Sequence, residues 1–187
     1  GDSGIYVNMF IGSSIKVERP SGPDIEMIQE TDYPWSGKIA ITVNPAETGD
    51  FSVFIRIPDR KTSELYMPQP EVKGYRSLKV NGESVSPAVR RGYAEIRRQW
   101  KAGDRIEIEL PMQIQKITAI DRVAATRERA AFRFGPLIYN VETIDQKNID
   151  QPAGSDPLTA EFRKDLLEGV MTIRGKWADG SPLLAIP

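Results

Sequence analysis

Hydrophobic and polar residues alternate in short runs along most of this chain, and turn formers separate the runs. In 50–58, Phe51, Val53, Ile55 and Ile57 share one face before Pro58 stops the strand. In 105–112, Ile106, Ile108 and Leu110 oppose Arg105, Glu107 and Glu109. Such period-2 patterning predicts strands with one buried face. The run 38–44 is β-branched and closed by Pro45, 25–30 follows the turn-rich 19–24, and 92–100 leads into a Lys101-Ala102-Gly103-Asp104 turn. Near the start, 5–12 sets Ile5, Val7, Met9 and Ile11 against Tyr6, Asn8 and Phe10. Asn81-Gly82 within 77–85 is a type I′ hairpin signal, because both central residues of that turn need positive φ. In 129–142, Gly135-Pro136 divides two further strands.

Turn signals recur roughly every 8–12 residues, the spacing of an all-β domain. The expected fold is an antiparallel β-sandwich, jelly-roll-like, with a short additional strand or loop segment at its C-terminal side. Helical spacing is scarce. Its best instance is 156–169, where Leu158, Phe162 and Leu166 recur every four residues; the alternative there is a loop leading into a strand over 166–175. The polar, Pro/Gly-containing stretch 143–157 reads as a linker. The expected organisation is a β-sandwich domain over 1–145. Residues 146–187 then form a linker plus the truncated start of a second β-domain, or strands added to the first.

Composition narrows the function. With 25 basic and 26 acidic residues the net charge is −1, which argues against nucleic acid or an anionic membrane surface as partner. No apolar run reaches the ~18 residues of a membrane-spanning helix, and no signal-peptide pattern is present. The opening Gly1-Asp2-Ser3, without Met, suggests an excised segment. The compartment stays open. His and Cys are both absent, which removes disulfides, thiolate chemistry, His-based general bases and the usual nitrogen and sulfur ligands of zinc.

Paired carboxylates are the remaining route to glycosidase-like chemistry. The acids, however, mostly alternate with bases on strand surfaces, the pattern of a solvated sheet face. Glu30 and Asp32 are singled out among the acids by lying close to Trp35. Tyr33, Trp35, Tyr93 and Trp100 are the candidate interface or sugar-contact residues, with Trp177 completing the aromatic set. Pro34 and the Ser36-Gly37 turn hold Tyr33 and Trp35 at a strand junction, and Trp35 is expected to be buried. Gly82, Gly92, Gly103 and Gly135 read as turn glycines, and no phosphate-binding loop motif occurs. The basic, aromatic stretch 91–100 has its charges alternating outward, as on a solvated strand.

Several segments taken together resemble a known family. Residues 6–13, 30–43 with Thr31-Asp32-Tyr33-Pro34-Trp35, 51–58, 78–85, 92–112 and 129–142 with Gly135-Pro136-Leu137-Ile138-Tyr139 come in the family's order. Residues 166–175 and the segment 183–187, ending Ala185-Ile186-Pro187, follow. The order and spacing resemble the region after the catalytic domain in glycoside hydrolase family 127, the β-L-arabinofuranosidase-like enzymes. The resemblance implies β-sandwich domains following a catalytic (α/α)6 barrel. It also implies that a Cys nucleophile, a Glu acid/base and a zinc site of Cys and Glu ligands belong to that barrel. None of those residues maps onto this chain. The implied role is a non-catalytic accessory region whose partner is the parent's own barrel, and no cofactor of its own is implied. A carbohydrate-binding module using aromatic platforms is the alternative, and a homodimer a further partner.

Overall fold

The structure, a computed structural model, describes residues 4–58, 64–147 and 149–187. In chain order the strands are β1 (Gly4–Val7), β2 (Ser13–Val17), β3 (Ile25–Thr31), β4 (Lys38–Pro45), β5 (Gly49–Arg56) and β6 (Tyr66–Gln69). Next come β7 (Ser77–Val80), β8 (Glu83–Ser84), β9 (Val89–Arg90), β10 (Tyr93–Trp100), β11 (Asp104–Glu109) and β12 (Ile114–Ala119). The last are β13 (Ala130–Phe134), β14 (Leu137–Tyr139), β15 (Thr159–Arg163), β16 (Val170–Lys176) and β17 (Pro182–Ala185). One 3-10 turn, Ala124–Thr126, is the only helical element among the described residues. The fold is therefore all-β, with sandwich-like sheets.

The chain divides into two compact units, Gly1–Arg60 with Lys73–Pro111, and Lys61–Val72 with Met112–Pro187. In the first, a four-stranded sheet of order β1-β5-β10-β9 and a six-stranded sheet of order β2-β3-β4-β11-β7-β8 share one core. The alternation in the sequence dictates that core. Phe51, Val53, Ile55 and Ile57 from the β5 run meet Ile39, Ile41 and Val43 of β4 and Ile106, Ile108 and Leu110 of the β11 run, all buried. Trp100 is 0% exposed, and its indole N–H donates to the Phe51 carbonyl at 2.9 Å, which satisfies the one polar atom the ring carries into the core. Asn81 and Gly82 both take positive φ, 53° and 82°, and so turn β7 into β8 as their sequence requires.

β1 joins its sheet parallel to β5, the one parallel pairing in this unit among the described residues. The alternation expected over 5–12 fails beyond Val7. There the strand ends, so Phe10 turns into the core while Met9 and Ile11 are exposed.

In the second unit the sheet β14-β13-β12-β6 and the sheet β15-β16-β17 contribute to one core of Phe132, Phe134, Tyr139, Ile173, Trp177, Leu183 and Ala185. Asn140 and Ile186 form an isolated bridge with both backbone hydrogen bonds made. The described residues of the stretch 143–157 fall within this unit, and Ile149 and Ala153 pack against its core. The helix considered over 156–169 is not formed. Residues 159–163 pair instead with β16, and Leu167, Glu168 and Gly169 take positive φ to make the turn between them. The four-residue spacing of Leu158, Phe162 and Leu166 is outweighed by cross-strand pairing, in which alternate rather than fourth residues share a face. Inside the unit, Arg133 Nε donates to Gln115 Oε1 at 2.9 Å, and Gln115 Nε2 donates to the Pro70 carbonyl at 2.7 Å, which satisfies two buried polar side chains.

Candidate functional site

Strand register brings an aromatic cluster onto the outward face of the four-stranded sheet. Tyr6 lies opposite Phe54, and Tyr93 opposite Arg56. The Tyr6 and Phe54 rings stack at 4.4 Å with 8° between their planes. Tyr93 meets Tyr6 edge-on at 5.2 Å, and the Arg56 guanidinium lies over the Tyr93 ring at 5.2 Å. The Tyr93 hydroxyl donates to Asn8 Oδ1 at 2.6 Å. Two glycines make room for this arrangement. A Cβ on Gly4 would clash with the Ser52 carbonyl and the Phe54 ring, and one on Gly92 with the Arg56 guanidinium. Beyond the rings, Ser52 Oγ donates to Glu95 Oε1 at 2.7 Å and Arg97 pairs with Asp50 at 3.0 Å.

Tyr6 remains 47% exposed although it contacts two rings, and Met9 and Ile11 just after β1 are more exposed still. The face is an ordered aromatic patch open at its β1 side.

The four candidate residues fall in three places. Tyr93 stands on the outward aromatic face, whereas Trp100, seven residues on, is on the opposite face of β10 and in the core. Tyr33 and Trp35 sit on the loop joining β3 to β4. There the Trp35 N–H donates to the Asp32 carbonyl, Thr31 Oγ1 accepts from the Tyr33 N–H and donates to the Lys38 carbonyl, and the Tyr33–Pro34 peptide is cis. Tyr33 packs on the core and meets Phe10 edge-on at 5.9 Å. Trp35 is half-buried, where burial was expected, because this loop lies outside the strand alternation that fills the core. Trp177 belongs to the core of the second unit, its indole N–H donating to Gln146 Oε1 at 3.1 Å. Sequence reasoning named Tyr93 but not Tyr6 or Phe54. The signal for Phe54 is an aromatic residue on the polar side of an otherwise alternating strand.

The acids are engaged at the surface. Glu30 pairs with Arg105 at 2.8 Å, while the Asp32 carboxyl is on an exposed residue. Among the described residues, every carboxyl with a displaced proton affinity is displaced downward. A side-chain bond from Arg163 holds Asp165 near about 2, and hydrogen bonds from Ser181 lower Asp179. A general acid needs displacement upward. Burial pushes the Tyr139 phenol up to about 12, so it stays protonated at neutral pH. No group of three His, Cys, Asp or Glu able to hold a metal occurs among the described residues.

Comparison with known proteins extends this picture. The family described as β-L-arabinofuranosidase, GH127 middle domain, matches residues 4–112. A non-reducing end β-L-arabinofuranosidase of Bifidobacterium longum is 30% identical over 185 residues, covering 92% of this chain and 25% of that protein. The solved GH127 β-L-arabinofuranosidase of Geobacillus stearothermophilus T6 superposes with a TM-score of 0.85 at 29% identity, over 100% of this chain and 31% of that one. A further solved GH127 β-arabinofuranosidase gives a TM-score of 0.88 at 26% identity, over 100% of this chain and 32% of that one.

Proposed function

Because the chain belongs to glycoside hydrolase family 127 through its middle domain, we propose that it is a non-catalytic accessory region of a larger β-L-arabinofuranosidase-like enzyme. In that parent it packs on and supports a catalytic (α/α)6 barrel, which precedes it and carries the chemistry. One observation carries the reading. The chain spans only 25% of the curated relative it matches, so most of such an enzyme lies outside it. Two features agree with that placement. The sequence holds neither His nor Cys, and the displaced carboxyls have moved in the direction opposite to a general acid. The zinc site and nucleophile belong, on this reading, to the barrel.

Hydrolysis of an aryl β-L-arabinofuranoside tests it. The full-length parent is expected to turn the substrate over while this chain alone stays at background. Turnover by the chain alone that disappears in a carboxylate variant such as Glu30→Gln would overturn the proposal.

A further inference from the structure

We propose that Asn81 is a site of spontaneous deamidation through the Gly82 amide, held off in the folded chain by its tie to Asp104, and that the reaction breaks that tie once it occurs. Three observations carry it. The first is chemical. Asn81-Gly82 is the one Asn-Gly pair in the sequence, and glycine, having no Cβ, leaves its backbone nitrogen the least hindered of nucleophiles. That nitrogen gives its proton to hydroxide and attacks Asn81 Cγ. The new C–N bond closes a succinimide ring while the side-chain nitrogen leaves as ammonia, taking a proton from water. Water then opens the ring at either carbonyl, which leaves an aspartyl or an isoaspartyl residue at position 81. Asn81 and Gly82 are both exposed, and a Cβ built on Gly82 would meet nothing within 4 Å, so solvent reaches the turn freely.

The second observation is what holds the reaction back. Asn81 Oδ1 accepts from the Arg105 N–H at 2.8 Å, Asn81 Nδ2 donates to Asp104 Oδ1 at 2.8 Å, and the Asn81 N–H donates to the Arg105 carbonyl at 2.8 Å. Side chain and backbone of Asn81 are thus both fastened to β11. Asn81 and Gly82 take φ of 53° and 82°, as in a type I′ turn, whose first central residue has ψ of about +30°. Ring closure needs ψ of Asn81 to swing away, bringing the Gly82 nitrogen over Cγ, and needs the amide to leave Asp104. The reaction therefore waits on local opening. The third observation is the consequence. Deamidation replaces an amide donor by a carboxylate facing Asp104, which is only 8% exposed and also accepts from the Lys101 N–H at 2.9 Å. Two ionised carboxylates at hydrogen-bond distance repel. The isoaspartyl form also lengthens the backbone of a turn in which Val80 pairs with Glu83. The β7–β8 hairpin and the corner between β10 and β11 then lose the side-chain tie that joins them.

Peptide mapping by mass spectrometry, on the chain aged at mildly alkaline pH both folded and in urea, tests the proposal. Asn81 should deamidate readily in urea and at least about ten-fold more slowly when folded, because only the opened fraction reacts. Asp104→Ala should raise the folded rate roughly ten-fold, the factor set by one hydrogen bond to a charged group, each rate being divided by the same protein's rate in urea. No deamidation at Asn81 in urea, a folded rate equal to the urea rate, or a folded rate unchanged by Asp104→Ala would overturn it. A second arm does not depend on whether Asp104→Ala folds. Asn81→Asp should lower the urea midpoint by about 1 M at neutral pH. Adding Asp104→Asn, which exchanges amide and carboxylate across the same contact, should restore most of that loss. A double variant no more stable than Asn81→Asp alone would show that the product does not act through Asp104, and would overturn the proposal.

Discussion

Along the outward face of the four-stranded sheet stand Tyr6, Phe54, Tyr93 and Arg56, each in contact with another of the set. The outward face of the six-stranded sheet carries Glu26, Glu30, Thr42, Asn44 and Arg105. These are joined by Arg105 to Glu30 at 2.8 Å, Arg105 to Thr42 at 3.5 Å and Asn44 to Glu26 at 3.3 Å. Both sheets turn the same kind of residue inward, Val, Ile, Phe and Leu into one core. The inward set is therefore dictated by the fold, while the outward set is free to match its surroundings. One face is built for water, where exposed ion pairs contribute little and cost little. The other holds apolar rings in place at a surface, which water alone does not favour.

The largest effect should come from removing what supports both faces at once. Trp100 is fully buried between the sheets, and its ring lies 6.0 Å from Phe51. Trp100→Ala is expected to cost ~3–5 kcal/mol in urea unfolding, with amide exchange rising on β4 and β10 together. The half-buried Trp35 should lose clearly less on substitution by Ala. Equal losses would mean that the loop bearing Trp35 is as much a part of the core as β10.

A smaller effect is expected at the corner where β10, of the aromatic-faced sheet, turns into β11, of the charged-faced one. Burial pushes the Asp104 carboxyl up. The Lys101 N–H at 2.9 Å, the Asn81 amide at 2.8 Å and Arg98 at 3.8 Å outweigh it, and hold the group below its ordinary value of 3.8. A carboxyl depressed on folding contributes its stability above its unfolded value and loses it as pH falls through its folded value. Asp104→Asn should therefore destabilise by ~1–3 kcal/mol at neutral pH, the cost of leaving buried donors poorly matched. The gap to wild type should narrow as the pH is lowered below 3.8, the unshifted value. Urea midpoints measured from neutral to acid pH give the answer, and a gap that stays constant would show that the ionised form of Asp104 does not tie the corner.

How much of this was legible in the sequence depends on the range of the interaction. The β5 and β11 alternations announced their own inward faces, and Asn81-Gly82 announced its hairpin, because each of those signals is local. The aromatic cluster was not legible. Tyr6 and Phe54 meet only through the parallel pairing of β1 with β5, and no local pattern records a partner 48 residues away. Residues 8–12 misled because alternation has meaning only while the strand lasts, and β1 stops at Val7. β6, with Pro68 inside a four-residue strand, lacks the apolar run that would mark it; it is held instead by pairing with β12. The spacing of Leu158, Phe162 and Leu166 suggested a helix for the same reason in reverse, since the strand that claims Phe162 lies later in the chain.

The smallest expected effects sharpen the contrast between the faces most directly. Glu30→Gln removes the carboxylate that faces Arg105, a pair in which both side chains are well exposed. It should cost ~0–1 kcal/mol, and less still at 1 M salt, where the screening length falls to about 3 Å. Tyr6→Ala removes a stacked and an edge-on ring contact and part of a buried ring. It should cost ~1–2 kcal/mol in this chain, with no dependence on salt. Urea unfolding at low and high salt measures both. A cost for Tyr6→Ala that falls with salt as that of Glu30→Gln does would mean that charge, not ring contact, holds the aromatic face together, and the two faces would differ in composition but not in what stabilises them.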